Sequence, residues 1–399
     1  MFRLPIETFS IRHDNYLSIH SGNMIYLDNN ATTPLAPQVA NAISKCLREN
    51  YGNPSSSHAF GIRARKVVEY ARKQTAELVG AAAGDITFTS GGTETNNMAI
   101  IGTALRFRRG HIISSCIEHP SVLNPLNYLE SIGYKVTYLP VDRYGLVDPS
   151  MINRCLLKNT ILITIMHSNN ETGTIQPIAA IGRIAKERSI IFHCDAAQSV
   201  GKVSVNVKRN HIDLLTIVSH KFYGPKGVGA LFIKAGTTLK PILYGASHEK
   251  GLRPGTENVA GIVGLGKATE LAKKELPERV AEMKYLSGIL FNDLCKHIPD
   301  LKLNSHYSKR LPNTLNISFL NVQGSLLLDK LKNDIAASTG SACHEGQHTP
   351  SPVLKAMGLS NADAFSAIRL SLGRTTTKKQ IEKAVKAIVK AYRSINAKV

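Results

Sequence analysis

Apolar residues recur along this chain in two alternating rhythms. Ala64, Val67, Val68, Ala71 and Leu78 fall on one face at helical spacing. Short apolar runs follow at Ile86–Thr89, His111–Ser114, Lys135–Leu139 and Ile161–Met166, each of strand length. A helical pattern over Ile178–Arg188 precedes a run at Ile190–Cys194, and Asp213–Val218 and Val228–Ile233 close the series. Strands alternating with helices predict an α/β fold, with a mostly parallel sheet sandwiched by helices. Long helical patterns run from Ile262 to Leu294, and a shorter α+β segment occupies the rest. The expected organisation is a flexible extension over residues 1–24, a large domain over 25–270 and a smaller domain over 271–399. The first residues of the large domain are placed against the small one. No low-complexity linker separates the two, so no flexible hinge is expected.

Composition sharpens this picture only in places. Of 399 residues, 43% are hydrophobic, enough for a sizeable core. No apolar run approaches the roughly 18–20 residues of a membrane span. Lys and Arg number 49 against 29 acids, a formal charge of +20. Such a charge can steer anionic partners, but the excess is dispersed. Its dense run, Lys378 to Lys398, carries Ile381, Ala384, Val385, Ile388, Val389 and Tyr392 at helical spacing, with lysines opposite. That is a docked terminal helix rather than a nucleic-acid arm, and no aromatic-interleaved basic motif accompanies it. Six cysteines form no C-x-x-C pair and no metal spacing, which favours a reducing, cytoplasmic setting without a metal. The extension has Arg3, Arg12, His13 and His20 but also Glu7 and Asp14. It lacks a secretory apolar core and is poor in Arg for a transit peptide, though organellar targeting stays open. Met24, directly before the first strand pattern, is an alternative start.

Three segments carry chemistry. Thr89-Ser90-Gly91-Gly92-Thr93-Glu94 lies between a strand and a helix, where backbone N–H groups suit a phosphate; a tight turn explains it equally well. Asp195 follows a buried strand, at the edge where open α/β sheets bind ligands. A carboxylate there can keep a pyridinium nitrogen protonated, or merely cap a helix. Lys221, in Ser219-His220-Lys221-Phe222, follows a later strand and is placed to form a Schiff base with an aldehyde cofactor. A lone lysine is usually a solvated surface group, but phosphate turn, acid and lysine in this order describe a pyridoxal-phosphate site.

At this point the chain resembles the class V aminotransferase-like pyridoxal-phosphate enzymes, in the cysteine desulfurase and selenocysteine lyase branch. The matching stretches include Tyr26–Pro34, Tyr51–Ser56, Ser90–Glu94, Glu118-His119-Pro120 and Asn169-Asn170-Glu171-Thr172-Gly173. They continue through Asp195–Gln198, His220-Lys221, Arg253–Asn258, Gly340–Cys343 and Ile368–Arg374. The resemblance implies the type I fold of these enzymes and a role for each matching residue. Lys221 would carry the Schiff base, Asp195 would pair with the pyridine nitrogen, and Gln198 with the phenolic oxygen. His119 would stack on the ring and move protons, work that suits a histidine titrating near its ordinary value of about 6.5. Gly92, Thr93 and His220 would hold the phosphate. Asn170 and Arg369 would hold the substrate carboxylate, with Asn170 also at the cofactor. Thr256 would reach the phosphate of a neighbouring subunit, which implies a homodimer. Cys343, in a small polar stretch, would take the substrate's sulfur as a persulfide and pass it to an acceptor protein, as in iron–sulfur cluster assembly or tRNA thiolation. The other five cysteines, Cys46, Cys116, Cys155, Cys194 and Cys295, read as small buried hydrophobes.

Two departures stand out. Val218 occupies a position where these desulfurases usually have a phosphate-contacting serine, which puts one contact in doubt, and His344 follows the cysteine where Thr or Ser is common. The expected function is conversion of L-cysteine to L-alanine with sulfur transfer. The alternative is a selenocysteine lyase that releases selenide. An aminotransferase proper would have no use for Cys343, and a nucleic-acid-binding protein would have no use for the Lys221, Asp195, His119 and Cys343 set.

Overall fold

A computed structural model describes residues 24–340, 343–344 and 347–396, without the side chains of residues 343, 344, 347 and 348. The readings placed on residues 1–23 lie outside the described residues. Seven strands form the large sheet, in the spatial order Ile86–Thr89, Gly229–Ile233, Leu214–Val218, Ile191–Asp195, Thr160–Thr164, His111–Ser115 and Lys135–Leu139. From Leu214–Val218 outward to Lys135–Leu139 every pairing is parallel. Gly229–Ile233 runs antiparallel to both of its neighbours. The inner strands are buried but for single end residues, as sheets covered on both faces require, whereas the edge strand Lys135–Leu139 is mostly part-exposed. The expected strand end at Cys194 moves out to Asp195, because Asp195 still pairs in register with Thr216 and its carbonyl accepts from His167 N at 2.8 Å.

A 39-residue helix, Val259–His297, ties two cores together. Ile262, Leu265 and Ala268 pack into the core under the large sheet, and Met283, Leu286, Leu290 and Leu294 into a second core. The expected boundary at residue 270 therefore falls inside a continuous helix. The second core is roofed by the antiparallel strands Leu301–Leu303, Thr314–Phe319 and Ala367–Ser371. The C-terminal helix Lys378–Asn396 docks on it through Ile381, Ala384, Val385 and Ile388, its lysines facing outward. Strand Ile25–Tyr26 crosses over to pair with Ile335–Ala336 in this region. No helix among the described residues is long and apolar enough to cross a membrane.

The buried-hydrophobe reading of the cysteines holds for Cys46 and Cys194; Cys116 and Cys155 are half-buried. It is wrong for Cys295, which is exposed because its position on Val259–His297 turns away from the core that takes Leu294.

One packing contact makes a stability prediction. Gly182 lies in helix Ile178–Glu187, where a Cβ would overlap the Asn210 carbonyl oxygen. Backbone cannot yield as a flexible side chain does. Gly182→Ala is expected to cost roughly 1–3 kcal/mol, read as a lower denaturation midpoint, because overpacking forces backbone shifts. An unchanged midpoint would mean that this contact relaxes freely.

Candidate active site

Parallel strands deliver their carboxyl ends to one edge of the sheet, and the candidate residues collect there. Asp195 ends strand Ile191–Asp195, and Lys221 closes the single turn Ser219–Lys221 just beyond Leu214–Val218. Gly92 and Thr93 open helix Gly92–Ala104 after Ile86–Thr89, and His119 caps helix Pro120–Ser131 after His111–Ser115. Arg369 comes from the other sheet, on strand Ala367–Ser371. These residues, with Asn170, Gln198 and His220, line one cleft of about 420 Å³.

Lys221 Nζ donates to the backbone carbonyls of Asn30 and Ala31, both at 2.8 Å. Burial pulls its pKa down to about 8, with Arg369 adding to the effect and Asp195 and Asp28 opposing it. Asp195 is 7% exposed; its Oδ2 accepts from Asn96 Nδ2 at 2.8 Å and its Oδ1 from Ala197 N at 2.9 Å. The Oδ1 bond is a local turn cap, so that reading of Asp195 is part of the answer, but the carboxylate also faces the cleft. His119 Nδ1 accepts from Ser121 N at 3.1 Å. The His119 pKa lies below its ordinary value, chiefly from burial; Lys221 adds to this and Asp195 opposes it. His220 is held near 4 by burial and by Lys221, Lys226 and Lys202, so the ring is neutral at pH 7.

Arg369 is fixed on two sides. Its Nη2 reaches Asp28 Oδ1 at 2.7 Å and its Nη1 the Asn170 carbonyl at 3.1 Å. Its buried Nε has no hydrogen-bond partner among the described residues. A donor left over on a planar guanidinium suits an incoming carboxylate. At the phosphate turn, Gly91 has φ 147°, which disfavours side chains, and a Cβ on Gly92 would sit 2.9 Å from Val218 Cγ2. Val218 thus presents a methyl to this turn where the resemblance leads one to expect a hydroxyl. A buried low-pKa amine, a carboxylate, a glycine turn at a helix N-terminus and an unpaired guanidinium donor together fit pyridoxal phosphate and an amino acid.

Thr256 does not join the cleft. It is exposed and lines a separate surface pocket with Asn53, Arg65 and Arg72. Its segment is tied to the phosphate turn by Arg253 Nε to Glu94 Oε1 at 2.9 Å. The backbone of Cys343–His344 pairs antiparallel with Gln347–His348; the Cys343 side chain lies outside the described residues.

The sequence reading missed the residues that hold the others in place. Lys202 donates to Gln198 Oε1 at 2.8 Å and Asn30 Oδ1 at 2.9 Å, leaving the Gln198 amide nitrogen to donate. The Lys202 ammonium is pushed well below its usual range by burial, then by Lys221 and Arg369. The Asn30 carbonyl serves both Lys221 and Gln198. The four-residue step from Gln198 to Lys202 was visible; that both bond to Asn30 was not.

The sequence matches the family model for class-V aminotransferases over residues 25–384. It is 49% identical over 360 residues to a protein named cysteine desulfurase IscS from Dictyoglomus turgidum, covering 90% of this chain and 91% of that one. A solved NifS-like protein superposes with a TM-score of 0.88 at 37% identity, covering 93% of this chain and 100% of the other. A structure described as SspA in complex with cysteine superposes with a TM-score of 0.78 at 38% identity, over 87% of this chain and 98% of that one.

Proposed function

This chain belongs to the class-V aminotransferase family, and from that premise we infer that it is a pyridoxal-phosphate-dependent cysteine desulfurase. The observation that carries the reading is one cleft in which Lys221, Asp195, His119 and Arg369 all face inward. When bound, pyridoxal phosphate supplies an aldehyde and an electron-accepting ring. Lys221 would hold the aldehyde, Asp195 the ring nitrogen, Gln198 the phenolic oxygen, and Gly92, Thr93 and His220 the phosphate. An amine with a pKa near 8 is neutral in a useful fraction at pH 7, so Lys221 serves both as nucleophile and as proton acceptor at Nζ. Asn170 and Arg369 orient the amino acid by its carboxylate. Cys343 is proposed to take the substrate's sulfur: its thiolate forms an S–S bond as the carbon–sulfur bond breaks, the bonding pair stays with the substrate carbon, that carbon takes up a proton, and alanine leaves.

The persulfide then passes to an acceptor protein of iron–sulfur cluster assembly or tRNA thiolation, in the cytoplasm. The working unit is proposed to be a homodimer. Thr256 stands outside the cleft of its own chain, which supports its serving a second copy's phosphate. We also propose the division into a large domain over 25–270 and a small one over 271–399, joined by an unbroken helix.

The deciding experiment measures alanine release from cysteine against selenocysteine, with and without reductant. Turnover of cysteine is expected; turnover of selenocysteine alone would make the protein a selenocysteine lyase. Arg369→Ala is expected to lower kcat/KM for cysteine by about 10- to 100-fold, mainly through KM, since hydrogen bonds to charged groups contribute roughly 1.5–3 kcal/mol. An unchanged KM would remove Arg369 from the substrate site.

A further inference from the structure

From the wall of the cleft a chain of hydrogen bonds with a defined direction runs into the core, centred on Asn96. This side chain is buried on helix Gly92–Ala104 and all its polar atoms are engaged. An ionised Asp195 can only accept, so the amide nitrogen of Asn96 must face it, and Nδ2 donates to Asp195 Oδ2 at 2.8 Å. The second amide hydrogen goes to Ser121 Oγ at 2.8 Å. Asn96 Oδ1 accepts from Thr216 Oγ1 at 2.6 Å. Thr216 has then spent its one hydrogen, so it must accept at 3.0 Å from His193 Nε2–H, and His193 Nδ1 accepts at 2.8 Å from Thr164.

The same logic reaches His119. Ser121 Oγ accepts from Asn96, which leaves its own hydrogen for His119 Nδ1 at 2.8 Å. That nitrogen also accepts from Ser121 N. A hydrogen on Nδ1 would point at the fixed Ser121 N–H and forfeit the hydroxyl hydrogen as well, so the hydrogen of a neutral His119 belongs on Nε2. Charging the ring would require that same Nδ1 hydrogen. The low pKa of His119 is consistent with this geometry.

We propose that Asn96 is a positioning residue: one amide holds Asp195 and, through Ser121, fixes His119 as the neutral Nε2–H tautomer. His119 therefore enters the reaction as a hydrogen donor at Nε2, with its lone pair on Nδ1 already taken. This rests on the reading of the cleft as a pyridoxal-phosphate site, but the tautomer can be read without the cofactor.

The experiment is nitrogen NMR of 15N-histidine-labelled protein, with the His119 signals assigned by their loss in His119→Gln. Wild type should show Nε2–H at pH 7, before and after adding pyridoxal phosphate. Ser121→Ala cuts only the His119 branch; the tautomer ratio should shift toward Nδ1–H by roughly tenfold, the effect of about one hydrogen bond. The signal of 15N-labelled pyridine nitrogen in bound cofactor should stay put in that variant. Asn96→Leu should move both signals. An Nδ1–H or doubly protonated His119 in wild type would overturn the proposal, as would a His119 signal indifferent to Ser121→Ala. Were Asn96→Leu not to fold, those two measurements would still decide. Failure to take up any pyridoxal phosphate, with the tautomer as expected, would instead count against the functional reading alone.

Discussion

Lys221→Ala is expected to reduce alanine release from cysteine by at least about 1,000-fold, leaving the fold intact. The size follows from what one side chain does. Among the described residues Lys221 is the only lysine of the cleft lining, its Nζ is held by two carbonyls, and burial keeps its pKa near 8. On the roles proposed for it, losing Lys221 removes a covalent anchor and a proton acceptor together, and general acid–base transfer alone contributes roughly 100- to 10,000-fold. Wild type should be yellow, and borohydride should abolish the visible band while attaching the cofactor's mass to the Lys221 peptide. The variant should show no such attachment. Because the lost ammonium is buried and imperfectly compensated, its removal should not lower the thermal midpoint. Turnover above a tenth of wild type would show that another amine does the work.

The second large effect is expected at Cys343. Cysteine's sulfur is a poor group to expel unaided, so its release needs a nucleophile to receive it. Cys343→Ala should abolish alanine formation from cysteine while cysteine still perturbs the cofactor's absorbance. Selenium departs more easily, so some release from selenocysteine should persist. Mass spectrometry of wild type after cysteine, without reductant, should find one added sulfur on the Cys343 peptide. The other cysteines set the controls. Cys194 is fully buried and its pKa is raised well above that of an ordinary thiol by burial, with Asp195 and Glu118 adding, so it is a poor nucleophile. Cys295 is exposed but its pKa is also raised, by burial of its thiol. Added sulfur on Cys295, or full desulfuration by the variant, would refute the proposed transfer.

Much of this was written locally in the chain. Strand Lys135–Leu139 announced itself with its observed bounds because a short apolar run flanked by turns has few other uses. The docked face of Lys378–Asn396 followed from helical spacing, since burial of one face is what such spacing selects. The placement of Asp195 and Lys221 was legible because each stands at or just past the carboxyl end of a strand, and strands of a parallel sheet end at one edge.

Other features had no local signature. One 39-residue helix serves two cores, which a periodicity count divides at an arbitrary point. Asn96 on its helix and Lys202 in its turn look like any polar residues until Asp195, Ser121 and Asn30 are brought to them from distant parts of the chain. His119 reads in sequence as a histidine with an ordinary pKa; burial, with Lys221 adding to it, decides otherwise. The amino-acid order determined which chemical groups exist and which strand ends carry them. Only the tertiary structure decided their charge and tautomer, because desolvation and hydrogen-bond direction belong to the assembled surroundings and not to any one segment.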